Sequence, residues 1–144
     1  MVSVVCMATA ACGQNDSVAE QVASAEMAMA ESDVVTTRNI CDGLMNRDHG
    51  SYVATELARL SILYMQLHDR TDDPDALQLA TRCYREAFET NADSARMYYE
   101  HLPVDQDKYA MTLATIVSTL DNPPAPLEDD DPYVSPDSIG MINN

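Results

Sequence analysis

The side chains that could do chemistry in this chain are few and scattered. An acidic turn carries Asp69, Asp72, Asp73 and Asp75, and with Thr71 it sets oxygen groups at alternate positions, as an EF-hand loop does to hold calcium. Pro74 stands where that loop needs glycine and Ala80 where it needs a bidentate glutamate, so the spacing predicts no calcium site. His49, His68 and His101 each fall at the end of an expected helix. None lies four residues from a second His or at ligand spacing from a Cys, and a favourable interaction with the negative end of a helix accounts for His68 and His101 more simply than a metal does.

Cys41 and Cys83 could pair as a disulfide in an oxidising compartment, or sit apart as small core residues beside the apolar faces that flank them. No glycine-rich phosphate loop, nucleophile elbow or framed pair of acids is present. The sequence therefore names no catalytic residue, no cofactor site and no metal site, and the expectation is a protein that is not an enzyme. Charge narrows the partners. With 24 acidic against eight basic residues, a net of −16, the chain has no basic stripe to displace phosphate counterions. Nucleic acid is excluded on that ground, and a protein partner would be basic or apolar.

One further cysteine carries an address. Residues 2–11, VSVVCMATAA, form an uncharged apolar run too short to span a bilayer, and Thr9, Ala10 and Ala11 precede Cys12 and the polar GQNDS. This resembles a bacterial lipobox, although Thr9 replaces the usual Leu and no Lys or Arg precedes the run. The resemblance implies a signal peptide over 1–11, cleavage before Cys12 and a lipid on its sulfur. Residues 13–32 are small and acidic with scattered Val and Met and no Leu, Ile or aromatic side chain, a composition similar to the tethers of small Bacteroidota lipoproteins. They are expected to form a frayed helix or leash, so that 12–32 is lipid attachment and tether. The location so implied is the bacterial cell envelope, the outer membrane in particular, with the membrane reached through the lipid anchor only. The alternative is a cytoplasmic protein in which Met1 is the true start.

The elements that must position these residues are helices. Abundant Ala, Leu, Met and Val, with only four Gly and no Trp, favour an all-α domain over a sandwich of short strands. Ser32 and Asp33 offer an N-cap before a segment with Val34, Val35, Cys41, Leu44 and Met45 near one face, interrupted by Gly43. Asn46 to Gly50 reads as a turn and Ser51 as the next cap. Val53, Leu57, Leu60, Tyr64 and Leu67 then recur at helical spacing, opposite Thr55, Glu56, Arg59 and Gln66. Asp73 caps and Pro74 starts a second arm with Leu77, Ala80, Tyr84 and Ala87 in line and Phe88 beside them.

Leu57, Leu60, Ser61 and Tyr64, followed by Ala80, Tyr84 and Ala87, resemble the tetratricopeptide (TPR) repeat. In that family Ala in the second helix lets the two backbones approach while aromatic rings fill the wider gaps. The interval from Tyr64 to Ala80 is longer than the family's, Ala92 stands where Pro is usual, and no second copy follows.

A short helix capped by Asp93 and stopped by Pro103 comes next, then a last one from about 105 to 120 with Tyr109, Leu113, Ile116 and Leu120 on one face and Val117 beside them. Residues 121–144, rich in Pro and acid, are expected to be disordered. The expected whole is a small helical bundle or TPR-like helix-turn-helix array over 33–120, with disordered termini. Its expected role is a lipid-anchored envelope protein serving as a protein-interaction module, through a protein partner or self-association. An intracellular TPR-like adaptor without a signal peptide is the alternative, as is a small-ligand-binding helical protein whose sign would be a deep pocket holding Tyr98, Tyr99, His101 or the acidic turn.

Overall fold

The computed structural model of the protein describes residues 16–126. Cys12, the apolar segment 1–11 and residues 127–144 of the tail lie outside the described residues. Within them the chain is all-helical: α1 Val18–Ala30, α2 Val34–Met45, a 3-10 turn His49–Ser51, α3 Ala54–Thr71, α4 Pro74–Thr90, α5 Ala92–Glu100 and α6 Asp107–Asp121.

Helix α3 is the axis. Ala54, Leu57, Ala58, Leu60, Ser61, Ile62, Leu63, Tyr64, Met65 and Leu67 are all buried, which leaves a narrow strip through Thr55, Glu56, Arg59 and Gln66 and the last turn from His68 to Thr71 nearer to solvent. A helix apolar on nearly every side must be covered on every side. The other five helices do this, α4 along its whole length and α1, α2, α5 and α6 over shorter stretches. Each leucine of α3 taken fully out of water contributes about 1.5–3 kcal/mol before conformational entropy is set against it.

The turn from α3 to α4 follows its chemistry. Asp72 takes the left-handed conformation at φ 56°, which a short polar side chain tolerates, and Asp73 accepts a hydrogen bond from Asp75 N at 2.9 Å with Pro74 in the first helical turn. On α4 the fully buried stripe is Ala76, Ala80, Cys83 and Ala87, with Leu77, Tyr84 and Phe88 only half-buried at its flank. The expected face is thus turned slightly. Small side chains occupy the line of closest approach to α3, and the bulkier ones fill the gaps to either side.

Residues 18–30 are not a tether. Ser17 and Glu20 form a reciprocal capping box, Glu20 N to Ser17 Oγ at 3.2 Å and Ser17 N to Glu20 Oε2 at 2.8 Å, and the helix so begun buries Val22, Ala25, Ala28 and Met29. The helical unit therefore begins at Ser17, not at Asp33. Small side chains do not prevent burial here, because α1 meets α2 closely enough for the buried Thr37 hydroxyl, which donates to Asp33 O at 2.8 Å, to lie 3.4 Å from Ala25 O. Arg59 reaches from α3 to Glu26 with two bonds, Nε–Oε1 at 2.8 Å and Nη2–Oε2 at 2.6 Å, and fixes α1 against the core.

Other local expectations shift. Asp33 does cap α2, accepting from Thr36 N at 3.0 Å, and α2 continues through Gly43, but Val35 is exposed. Ser51 ends the 3-10 turn, and α3 is entered at Val53, which is itself exposed and whose N–H is met by Glu56 Oε2 at 3.0 Å. Asn91, not Asp93, caps α5 through Ser94 N at 3.0 Å. Of the face expected on α6 only Leu113 is fully buried; Ile116 and Val117 are half-buried and Leu120 is 60% exposed. Residues 122–126 of the tail are exposed after the last turn of α6.

Candidate functional site

The acidic turn is dismantled by its own hydrogen bonds. Asp69 turns to Lys108 Nζ at 3.2 Å and Tyr109 OH at 2.8 Å, which hold its carboxyl below the usual range. Asp73 serves the α4 N-terminus and binds the Arg38 guanidinium of α2, and its carboxyl is lowered first by the Asp75 N–H and then by Arg38. Among the described residues no three His, Cys, Asp or Glu side chains are grouped to hold a metal ion.

The histidines stand apart from one another. His68 Nδ1 lies 2.8 Å from Asp73 O and His101 Nδ1 2.7 Å from Met97 O. A carbonyl only accepts, so in both rings Nδ1 carries the hydrogen and Nε2 is the acceptor when the ring is neutral. His49 bridges the 3-10 turn to α4, its Nδ1 2.8 Å from Glu86 Oε2 and its Nε2 3.1 Å from Arg82 Nη2. Arg82 also donates to Glu86 Oε1 at 2.9 Å, which closes a three-residue ring of hydrogen bonds.

Cys41 and Cys83 are both buried free thiols, and Cys83 Sγ lies 3.5 Å from Met45 Sδ. Burial pushes Cys41 up to about 12 and raises Cys83 as well, the opposite of what a reactive thiolate needs.

Two of the concavities among the described residues bear on function. The first is a cleft of about 590 Å³ between α1, α3, α5 and the α5–α6 connection. Met29, Ile62, Leu63 and Leu102 give it apolar walls, and Glu26, Arg59, Gln66, Arg70, Tyr98 and His101 bring polar groups to it. Tyr98 comes from the last turn of α5 and His101 is its C-cap, on either side in sequence of the core side chain Tyr99. Burial keeps the Tyr98 phenol protonated, pushed up to about 12 with Glu26 adding to the effect and Arg59 opposing it. The cleft holds two of the residues that a ligand-binding reading names, and leaves Tyr99 and the acidic turn out of it.

The second is a groove of about 510 Å³ along the outer side of α4, formed because α6 leans on α4 without covering it. Leu77, Ile116 and Leu120 line its apolar part, and Arg82, Arg85, Glu86 and Glu89 its charged part. Arg85 is held by Asp121 at 2.6 Å and Arg82 by Glu86, so Glu89 is the rim charge with no ion pair among the described residues. From Tyr109 to Leu120 the helix beside this groove carries no charged residue, and Thr112, Thr115 and Thr119 turn their hydroxyls back to carbonyls four residues earlier. The hydroxyls are thereby satisfied within the helix.

The sequence names Tyr98 and His101 for a pocket but none of the cleft's other walls, and it names no groove between α4 and α6. A capping box at Ser17 and Glu20, a local signal, could have revealed α1 and with it one wall of the cleft. No helix among the described residues is long and apolar enough to cross a membrane. Compared with protein family models, curated proteins and solved structures, the chain matches none.

Proposed function

We propose that this chain is a helical interaction module that receives a basic amphipathic segment of a partner protein in the α4–α6 groove, held at the cell envelope by a lipid on Cys12. The single observation that carries the docking reading is the groove itself. Leu77, Ile116 and Leu120 stay accessible on a domain whose remaining helices close around α3. Charge supplies the class of partner: a net of −16 repels a second copy of the chain and draws a cationic segment, whose apolar side would meet Leu77, Ile116 and Leu120 while its basic flank meets Glu89. The anchoring half of the reading rests on Thr9, Ala10, Ala11 and Cys12 and their likeness to a lipobox.

The test of docking uses a synthetic amphipathic helix of leucine and lysine, with a leucine and glutamate helix as its charge control. The lysine peptide should bind saturably and less tightly as salt rises, and the glutamate peptide should not bind. Leu120→Lys should weaken binding at least about tenfold, as loss of a central apolar contact with added repulsion does. Val104→Lys adds the same charge at a site 94% exposed and outside the groove, and should leave affinity unchanged. Equal effects of the two substitutions would overturn the groove assignment. A dimer in sedimentation that Leu120→Lys dissociates would overturn the choice of partner in favour of a second copy.

A further inference from the structure

We propose that the cleft between α1, α3 and α5 is a second, separate site, which binds a small organic carboxylate with an apolar body. Its distinguishing feature is unspent hydrogen-bonding capacity. Of the eight basic side chains, Arg38, Arg47, Arg59, Arg82, Arg85, Arg96 and Lys108 each bind an acidic or amide group. Arg70 is the one without such a partner among the described residues, and it stands exposed at the mouth of this cleft. In a chain with threefold more acids than bases, a cation left over is an exception.

Its neighbours in the cleft share the feature. The Tyr98 hydroxyl and the Gln66 amide have no protein partner among the described residues, and both can donate. His101 Nδ1 is committed to Met97 O, which leaves Nε2 turned to other partners. Arg59 and Glu26 neutralise each other through their two-bond pair, so that wall contributes shape and little net charge. A single planar guanidinium suits a monoanionic carboxylate, which it can bind through two parallel bonds. A phosphate dianion needs more positive charge than one arginine supplies against this acidic background. Met29, Ile62, Leu63 and Leu102 select an apolar body, and about 590 Å³ is room for a molecule of amino-acid size or somewhat larger.

The shared chemistry has two sources, a simple carboxylic acid or an amino acid whose ammonium would face Asp105 at the rim. Titration of the isotope-labelled full chain with 3-phenylpropionate and, separately, with phenylalanine distinguishes them, followed by amide chemical shifts. Saturable shifts at Gln66, Tyr98, His101 and Leu102 are expected with at least one of the two probes. Tighter binding of phenylalanine, cancelled by Asp105→Asn, assigns the amino acid; tighter or equal binding of 3-phenylpropionate assigns the simple acid. Arg70→Gln should weaken binding about ten- to a hundredfold, the range for a hydrogen bond to a charged group. Tyr98→Phe, which keeps the ring and removes only the unpartnered hydroxyl, should weaken it several-fold without unfolding the chain. Shifts confined to the α4–α6 groove, no saturable shift with either probe, or an Arg70→Gln chain that binds as well as the parent would each overturn the proposal.

Discussion

Tyr99 donates its phenolic hydrogen to Ser61 Oγ, 2.7 Å away in the buried seam between α5 and α3. The direction follows from Ser61, which gives its one hydrogen to Ala58 O at 2.6 Å and can only accept from Tyr99. Around this bond Tyr99 stacks on Phe88 at 5° and 5.9 Å between centroids, and lies 4.9 Å from Tyr84. One hydroxyl pair and one aromatic cluster thus join α3, α4 and α5.

Replacing Tyr99 by Phe keeps that cluster and removes only the donor. The expected loss is about 1 kcal/mol, the net worth of one neutral hydrogen bond. Tyr99→Ala should cost about 3–5 kcal/mol, because it also leaves a cavity among Tyr84, Phe88 and Tyr98. Urea midpoints at neutral pH compare the two. Equal losses would mean that the ring contributes nothing beyond its hydroxyl.

The boundary at Ser17 predicts that a chain beginning at Asp33 is much less stable than one beginning at Asp16. Removing α1 exposes the surfaces that Val22, Ala25 and Met29 cover and leaves Arg59 without Glu26. Thermal unfolding should show a lower and broader transition for the shorter chain, and an unchanged one would return residues 18–30 to the role of a tether. Within the longer chain, Ser17→Ala should cost about 0.5–2 kcal/mol through loss of the cap.

Gly43→Ala should stabilise the protein by about 0.5–1 kcal/mol. The residue is helical, a Cβ added there meets nothing within 4 Å, and alanine loses less backbone entropy on folding. A destabilised variant in chemical denaturation would mean that a methyl group at this position of α2 is not free of contact.

Alkaline pH should unfold the protein. The thiols of Cys41 and Cys83 and the phenols of Tyr52, Tyr64, Tyr84, Tyr98, Tyr99 and Tyr109 are all raised, chiefly by burial, so each binds its proton more tightly folded than unfolded. Their contribution is fully present below the ordinary thiol value of 9.0 and is lost as pH rises through the folded values, about 12 for Cys41 and Tyr98. Circular dichroism against pH checks this. Below that window a thiol reagent should leave Cys41 and Cys83 of the native protein unmodified and label both after denaturation without reductant.

Incorporation of an alkyne fatty acid in a bacterial host tests the address. Labelling of the full chain that Cys12→Ala abolishes is the expected result, and labelling unaffected by the substitution would discard the lipid anchor.

What was legible in the sequence was local. Asp33 and the Asp73-Pro74 pair act on N–H groups within a few residues, and the spacing of Leu57, Leu60, Tyr64 and Leu67 repeats within a few turns, so neighbouring letters suffice to read them. The same reading could not give the partners of Asp69, which are Lys108 and Tyr109 some forty residues away.

By itself, then, the sequence determined that the described residues are helical, that Asp33 and Asp73 cap α2 and α4, and that α3 and α4 form a hairpin. Only the tertiary structure decided that α1 belongs to the core, that Ala76, Ala80, Cys83 and Ala87 are the seam of α4, and that α6 buries Leu113 while leaving a groove beside Leu120. Only it brought Arg70, Tyr98 and His101 to one cleft. The reason is physical: caps and periodicity are satisfied along one helix, whereas burial and unspent hydrogen bonds depend on which surfaces meet, and those surfaces come from segments tens of residues apart.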